Sequence, residues 1–400
     1  SQAILDPSWK KKYKYQVLIF FIFYVVFILH INFLLRNILL GHESDNFFNF
    51  VMTYNFSPEV SLISLEFVTL CMLSFYLAYT LIYRQRNKFI DQSSLYIGKN
   101  TTFITSVSAF MMASYLVYVS YKSGFNYGSI TQFRAQNSFI FELRAVYLLL
   151  LSFHLLNIPI SQIIKEKKYA FFRFSFIFYG IALLFFQARS AMFEVFVIFI
   201  YSYLMWNKDK IRFKYIVALC FLIFIPNILV MARMGVPDNI SELIDGIFTV
   251  EYSILLNNYL GSVIFYEIHN ETYSFLPQVW LIFPSWIRLF FDIEVGKIEY
   301  FTQVANLAKV SGGGFSLIAQ MYSDFQWKAP LVFLVAGLLI GWLNKGAYKV
   351  GSVSLFYASA PLVYSMFILS LRNDFGVMFK YMIQIMVLAM VLSLIKRIKV

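Results

Sequence analysis

Apolar stretches of helical length alternate with shorter polar stretches along nearly the whole chain. About 20 residues of helix cross the apolar core of a bilayer, and most of these stretches approach that length. The pattern therefore predicts an all-α polytopic membrane protein with about ten transmembrane helices in a single transmembrane domain. The predicted spans cover residues 15–35, 60–83, 102–121, 144–164, 170–188, 191–206, 215–232, 330–343, 353–371 and 378–395.

Composition agrees with this class and excludes some kinds of partner and site. The chain of 400 residues is 60% hydrophobic and 14% charged, whereas soluble domains are about half apolar and about a quarter charged. The net charge is +12, but the excess cations lie in connections assigned to the inner side, so no nucleic-acid partner is expected. Cys71 and Cys220 both fall inside apolar stretches, which predicts neither a disulfide nor a cysteine metal site.

The distribution of cations predicts the orientation. Lysines and arginines precede the first span, follow the last, and fill the connections after spans two, four, six and eight. Because cationic loops stay on the cytoplasmic side, both termini are predicted to be cytoplasmic. The connections between them are richer in acids, for example Glu43, Asp45 and Glu59.

Arginines prevail among the cations of the opposite, outer side, which topology rules leave unexplained. A planar guanidinium binds phosphate oxygens through two parallel hydrogen bonds, which the ammonium of lysine does not. We therefore expect a membrane-anchored polyanion, above all a lipid diphosphate, as the ligand of this side. Alternatively, single arginines pair with nearby acids such as Glu142, and Glu194 is expected to pair with Arg189 across a turn. The outer arginines are Arg36, Arg134, Arg144, Arg189, Arg233, Arg288 and Arg372.

One connection, residues 233–329 between spans seven and eight, is far longer than the others and is predicted to be a large extracytoplasmic loop. Its residues 240–268 carry apolar side chains at mixed helical spacing, which is typical of an amphipathic helix on a membrane surface. Residues 273–291 are apolar but interrupted by Pro277 and Pro284, which argues against a regular span. A re-entrant or interfacial hairpin is expected there.

Two glycine patterns lie at the eighth span. Gly312, Gly313 and Gly314 allow the backbone to approach a ligand closely, and the helix that follows offers free N–H groups to an anion. A hinge is the alternative interpretation. Gly337 and Gly341 have the spacing that brings membrane helices close together, and packing within the bundle is expected rather than dimerisation.

These residues carry a resemblance to a known family. The chain has the run Gly-Gly-Gly-Phe-Ser ending at Ser316, followed by Tyr322, Asp324, Phe325 and a glycine-containing helix. This arrangement resembles the signature of the O-antigen polymerase (Wzy-type) family. Two shorter elements, 187–190 with its Arg-Ser turn and 284–288 with its proline and arginine, are similar to elements of the same family. The resemblance covers roughly residues 140–376, and this chain has Gln320 where the family often has an acid.

The resemblance implies a metal-independent membrane glycosyltransferase of the GT-C type that needs no cofactor. It implies a bacterial inner-membrane enzyme whose active site faces the periplasm. Its substrates would be undecaprenyl-diphosphate-linked oligosaccharide repeat units of O-antigen or a related surface polysaccharide. The enzyme would move the growing glycan from its lipid diphosphate to the non-reducing end of a new lipid-linked unit. Further partners would be the bilayer, a chain-length regulator and a flippase.

The candidate catalytic residues follow from this reaction. Departure of the lipid diphosphate builds negative charge, which preorganised cations stabilise, and Arg189 and Arg288 are the first candidates. The acceptor hydroxyl needs a base within hydrogen-bond reach, for which Asp324 and His269 are favoured and Glu267 and Asp292 remain possible. Asp324 is alternatively a sugar ligand. The residues expected to bind diphosphate or glycan are Arg233, Arg372, Arg144, Gly312, Gly313, Gly314 and Tyr322.

Other functions stay open at this point. An O-antigen ligase would depend on a histidine of the large loop, and His269 keeps that alternative open. A lipid-linked oligosaccharide flippase or transporter would use an acid such as Glu66 within a span, but it would show repeated halves, and the chain has none. The acid pairs at Glu43 and Asp45 and at Asp292 and Glu294 suit a divalent cation, but no metal is expected.

Overall fold

The computed structural model describes helices throughout and no strand within the residues it covers. The described residues are 18–31, 34–35, 38, 58–84, 99–124, 138–185, 189–206, 260, 263–264, 280, 283, 285–292, 316–347, 353–371 and 375–398.

Twelve of these segments carry the architecture and are numbered here in chain order. Short 3-10 turns at Lys167–Tyr169, Gln326–Lys328 and Tyr357–Ser359 precede the sixth, tenth and eleventh helices. The helices are α1 (Leu18–Ile31), α2 (Pro58–Arg84), α3 (Lys99–Lys122), α4 (Ser138–Asn157), α5 (Ile160–Lys165), α6 (Ala170–Phe185), α7 (Arg189–Trp206), α8 (Ser285–Phe290), α9 (Leu317–Phe325), α10 (Ala329–Ala347), α11 (Ala360–Ser370) and α12 (Phe375–Ile398).

The all-helical class predicted from the hydrophobic pattern is confirmed for these residues. Each predicted span overlaps one of the helices, except 215–232, which lies outside the described residues. Three helical segments are long and apolar enough to cross a membrane, namely Glu59–Ile82, Thr101–Lys122 and Leu317–Ala347. In the other apolar helices the fully described stretch is shorter, at 10–17 residues, so the total of about ten spans stays a prediction.

The chain forms two compact units, each built from separate stretches of sequence. The stretches of unit 1 are Ser1–Ile82, Lys210–Leu339 and Phe367–Tyr381, and those of unit 2 are Tyr83–Asp209, Ile340–Met366 and Met382–Val400.

In unit 1, α10 packs closely against α2 at Gly337. A side-chain carbon at this position would collide with the backbone carbonyl of Phe75 and would lie 3.1 Å from the Cβ of Ala78. Phe367 stacks on Phe75 with ring centroids 5.0 Å apart and meets Phe333 edge-on at 6.4 Å. The predicted use of this glycine for packing within the bundle is therefore confirmed.

In unit 2, α3 and α6 pack along much of their length, and phenylalanines line their contact. Phe110 lies 5.6 Å from Phe178, 6.4 Å from Phe174 and 6.5 Å from Phe171 between ring centroids. Phe171 and Phe174 are also more than a third exposed, at 43% and 57%. Aromatic side chains that cover a neighbouring helix and remain exposed suit a bundle whose outer surface contacts lipid.

Polar side chains in the core of unit 2 join segments that are distant in sequence. Asn157, at the end of α4, donates from Nδ2 to the carbonyl of Val353 at 3.1 Å and accepts from its N–H at 2.8 Å. The Tyr201 hydroxyl donates to Asn344 Oδ1 at 2.6 Å. These buried groups are satisfied by partners that only the tertiary fold supplies.

Candidate functional site

The motif after the glycine run forms the helix α9. Ser316 is the N-cap of α9, since its Oγ accepts a hydrogen bond from the N–H of Ile318 at 3.2 Å. The same hydroxyl donates to the carbonyl of Leu371 at 3.1 Å, which fixes the beginning of α9 to the end of α11. The sequence predicted the next membrane span from residue 330, whereas the apolar helical segment Leu317–Ala347 begins earlier and includes the motif.

Tyr322 of this motif lies in an aromatic cluster. It is 4% exposed, and its ring meets Phe67 edge-on at 4.8 Å and Trp327 at 6.3 Å. Asp324 is half-buried two residues further along the same helix, and Gln320 is fully buried one turn before it. Packing thus holds the helix that carries Asp324 in a fixed position, as a binding or catalytic side chain requires.

Arg288 lies on the short helix α8, directly after Pro284. Its Nε donates to the carbonyl of Phe283 at 3.2 Å, and it forms no ion pair with any acid that the structure describes. The three residues after it are apolar and strongly exposed: Leu289 at 82%, Phe290 at 81% and Phe291 at 66%. An exposed apolar surface with a cation at its edge is the pattern of a segment at a lipid interface.

The chain turns sharply after this apolar surface. Asp292 has a left-handed backbone with φ of 49°, which ends the segment. Trp280 stacks on Phe283 with ring centroids 6.0 Å apart, and both are exposed. Exposed apolar side chains therefore occur before and after Pro284 in the sequence, within the segment for which a proline-interrupted interfacial hairpin was predicted.

Arg144 forms an ion pair with Glu194 between α4 and α7. The Glu194 side chain is 2% exposed and that of Arg144 is 17% exposed. The sequence favoured Arg189 as the partner of Glu194. The partner that the structure describes is Arg144, 50 positions away, and the side chain of Arg189 lies outside the described residues. Arg144 is therefore an outer arginine that pairs with an acid of the protein, which was the alternative to binding a ligand.

Two buried tyrosines lie beside this ion pair. Tyr147 follows Arg144 by one turn on α4, and its ring meets that of Tyr179 on α6 at 4.8 Å and 73°. Their hydroxyls have no hydrogen-bond partner within the described part of the chain. Sequence reasoning missed both residues, although a polar face on α4 with the spacing of Arg144, Tyr147 and His154 was a readable signal.

His154 continues the same face of α4. Its Nε2 lies 2.8 Å from Thr102 Oγ1 on α3, and its ring stacks on Phe172 at 5.3 Å. These contacts give His154 two fixed neighbours.

One of the inner cations has a structural role. Arg173 donates from Nη1 to the carbonyls of Ile163, Ile164 and Glu166 at 2.7, 2.9 and 3.0 Å, which satisfies the end of α5. In the same connection Lys168 pairs with Glu166 at 2.6 Å, and this hydrogen bond lowers the pKa of the exposed Glu166 carboxyl.

The acids considered from sequence are dispersed. Glu66 is exposed on α2, and Asp292 is exposed after α8. Glu294, Glu43 and Asp45 lie outside the described residues. No group of three metal-ligating side chains occurs among the residues that the structure describes.

The remaining predicted site residues are only partly covered. Arg189 is the first residue of α7, and its side chain lies outside the description. Of the covered residues, Tyr322, Asp324 and Arg288 belong to unit 1 and Arg144 to unit 2. The convergence of the outer arginines on one cavity stays a prediction. The other predicted residues outside the described ones are Arg36, Arg134, Arg233, His269, Gly312, Gly313, Gly314 and Arg372.

Comparisons of the chain with protein-family models, curated proteins and solved structures found no match. The family resemblance therefore depends on the motifs in the sequence, and the local geometry of α8 and α9 is what supports a function.

Proposed function

We propose that the chain is a membrane glycosyltransferase of the O-antigen polymerase type. It transfers a growing glycan from undecaprenyl diphosphate to the non-reducing end of a new lipid-linked repeat unit at the periplasmic face of the bacterial inner membrane. The observation that carries this proposal is Arg288, a cation without an acidic partner among the described residues, at the edge of the exposed apolar residues Leu289, Phe290 and Phe291.

A polyprenyl diphosphate joins a long apolar chain to a multiply charged anion. The segment at α8 has a counterpart for each part: the guanidinium of Arg288 for the diphosphate, and the three exposed apolar side chains that directly follow it for the prenyl chain. The bond from Nε to the carbonyl of Phe283 restrains the guanidinium plane. A charge-assisted hydrogen bond contributes about 1.5–3 kcal/mol. That range corresponds to roughly 10-fold to 150-fold in diphosphate affinity.

The same contact would assist the reaction. When the glycosidic bond to the diphosphate breaks, negative charge grows on the phosphate oxygens, and a preorganised guanidinium stabilises the transition state more than the ground state. Asp324 is the described carboxylate suited to take the proton of the acceptor hydroxyl, since it is half-buried on the Ser316-capped helix α9.

The test is chain extension by purified protein in nanodiscs supplied with a lipid-linked repeat unit alone. Wild type should give a ladder of products. Arg288→Lys keeps the charge but loses the planar fork, so it should bind undecaprenyl diphosphate at least about 10-fold more weakly and give no ladder. Lys122→Gln is the matched control because it removes an exposed cation that also neighbours exposed aromatic residues, and its ladder should be normal.

Two results would reject the proposal. A normal ladder and unchanged binding in Arg288→Lys would show that α8 does not hold the diphosphate. Product that forms only after lipid A core is added would assign the enzyme to ligation instead of polymerisation.

A further inference from the structure

Unit 2 contains a line of buried polar groups that the proposed glycosyl transfer does not use. At one end Glu194 of α7 pairs with Arg144 of α4, and Tyr147 lies one turn further along α4. At the other end His154 of α4 meets Thr102 of α3. We use the name polar column for Arg144, Tyr147 and His154 of α4, Glu194 of α7, Ser175 and Tyr179 of α6, and Thr102 of α3.

The register of two helices shows that the column is continuous. The ring of Tyr147 contacts Tyr179, and the ring of His154 contacts Phe172, so α4 and α6 run antiparallel with about two turns between the two contacts on each helix. Ser175 lies between Phe172 and Tyr179, one turn from each. Its hydroxyl therefore occupies the level between the tyrosine pair and the histidine.

Several groups of the column are buried without a protein partner. Among the described residues, no hydrogen bond reaches the hydroxyls of Tyr147, Tyr179 and Ser175 or Oε2 of Glu194. These residues are 1%, 0%, 0% and 2% exposed, respectively. A single orphaned group is an exception in a folded protein, and four groups along one stretch are ones that bridging internal water would satisfy.

We propose that the polar column conducts protons along the helices of unit 2. From Arg144 to His154 it covers ten residues of α4, which is about 15 Å, or about half the apolar thickness of a bilayer. Neither end is fully buried, because the Arg144 side chain is 17% exposed and Thr102, near the start of α3, is partly exposed. Chains of acidic and histidine side chains within membrane helices serve as proton relays in pumps and transporters.

Each group of the column that carries the proton accepts one proton and releases one proton. A hydroxyl or bridging water accepts a proton on an oxygen lone pair and releases its own proton to the next group, so one proton moves and no bond between heavy atoms changes. Glu194 and His154 act as the terminal acceptor and donor. Arg144 and Tyr179 are the charged and titratable groups that face Glu194 from α4 and α6.

The experiment measures proton flux into proteoliposomes that hold a pH-sensitive dye, with a potassium gradient and valinomycin to set the potential. Wild type should conduct above protein-free vesicles. Tyr179→Phe keeps the ring contact with Tyr147 but removes the hydroxyl, and Glu194→Gln removes the acceptor, so each should lower the flux at least about 10-fold. Tyr201→Phe is the control, since it removes a buried hydroxyl of the same unit that has its own partner, Asn344.

The outcomes are distinct. Flux of wild type equal to that of protein-free vesicles overturns the proposal, as does a Tyr179→Phe variant that conducts like wild type. Gel filtration confirms that each variant is folded, and if Glu194→Gln fails this check, Tyr179→Phe and Ser175→Ala decide. Loss of flux in these variants with normal flux in Tyr201→Phe supports the column. The proposal does not depend on glycosyl transfer, because the ladder assay is scored separately.

Discussion

Replacing Arg144 by methionine tests the buried ion pair of unit 2. The substitution keeps an apolar stem of similar length but leaves the carboxylate of Glu194, which is 2% exposed, without its cation. Removing one partner of a buried pair costs about 3–5 kcal/mol, because the remaining charge is neither solvated nor paired. We expect a loss of unfolding free energy in this range.

The two partners are not equivalent. Glu194→Gln leaves Arg144, whose side chain is 17% exposed and therefore partly solvated, and the amide oxygen of glutamine still accepts a hydrogen bond. Its cost should be smaller, about 1–3 kcal/mol. The double variant Arg144→Met with Glu194→Leu leaves no buried charge and should recover most of the stability lost in Arg144→Met.

The assay is unfolding of the purified protein by SDS in mixed micelles, followed by circular dichroism. Lys122→Met serves as the control for loss of a cation, because this exposed lysine ends α3 and its replacement should change stability by less than about 0.5 kcal/mol. If Arg144→Met is as stable as Lys122→Met, or if the double variant loses the sum of the single losses, the pair does not stabilise the fold.

Three further tests, two of them with a control substitution, address the packing. Gly337→Ala should lower the unfolding free energy by about 1–3 kcal/mol, since the added Cβ collides with a backbone carbonyl of α2. The control Gly180→Ala, whose Cβ meets nothing within 4 Å, should raise the unfolding free energy by about 0.4–1 kcal/mol. Equal effects of the two substitutions in the SDS assay would contradict the close approach of α10 and α2. Asn157→Ala leaves a buried N–H and carbonyl unpaired and should cost about 2–5 kcal/mol by the same titration, and a neutral result would remove the bridge. Ser316→Ala should cost about 0.5–2 kcal/mol through the lost helix cap, while Ser316→Thr retains it; equal melting temperatures of the two variants would exclude the cap.

Local patterns predicted what depends on local chemistry. Apolar stretches of more than a dozen residues form helices here because the backbone groups of an apolar segment are satisfied within a helix. Gly337 was read correctly because the spacing to Gly341 marks a helix face without side chains. A helix was expected after the glycine run, but the next span was placed only from residue 330, because the residues up to 329 were assigned to the long loop. The structure starts the helix at Leu317, where Ser316 is the cap.

The partner of Glu194 shows the limit of such reasoning. Arg189 is close in sequence and lies about one turn before it, so the local pattern favoured that pair. The structure pairs Glu194 with Arg144 because α4 and α7 pack together, and no spacing rule connects residues 50 positions apart. The burial of Tyr147 and Tyr179 is equally a result of helix packing, since the sequence places Tyr147 on a polar face of α4 but does not show which helix covers that face.

Hydrophobic length and periodicity alone determined that this protein is an assembly of apolar helices, because helix formation in apolar segments depends on neighbouring residues. Only the tertiary structure decided which polar side chains meet: Ser316 with Leu371, Asn157 with Val353, and Arg144 with Glu194. The physical reason is that a buried polar group must find a partner, and helix packing determines which distant residue comes within hydrogen-bond reach.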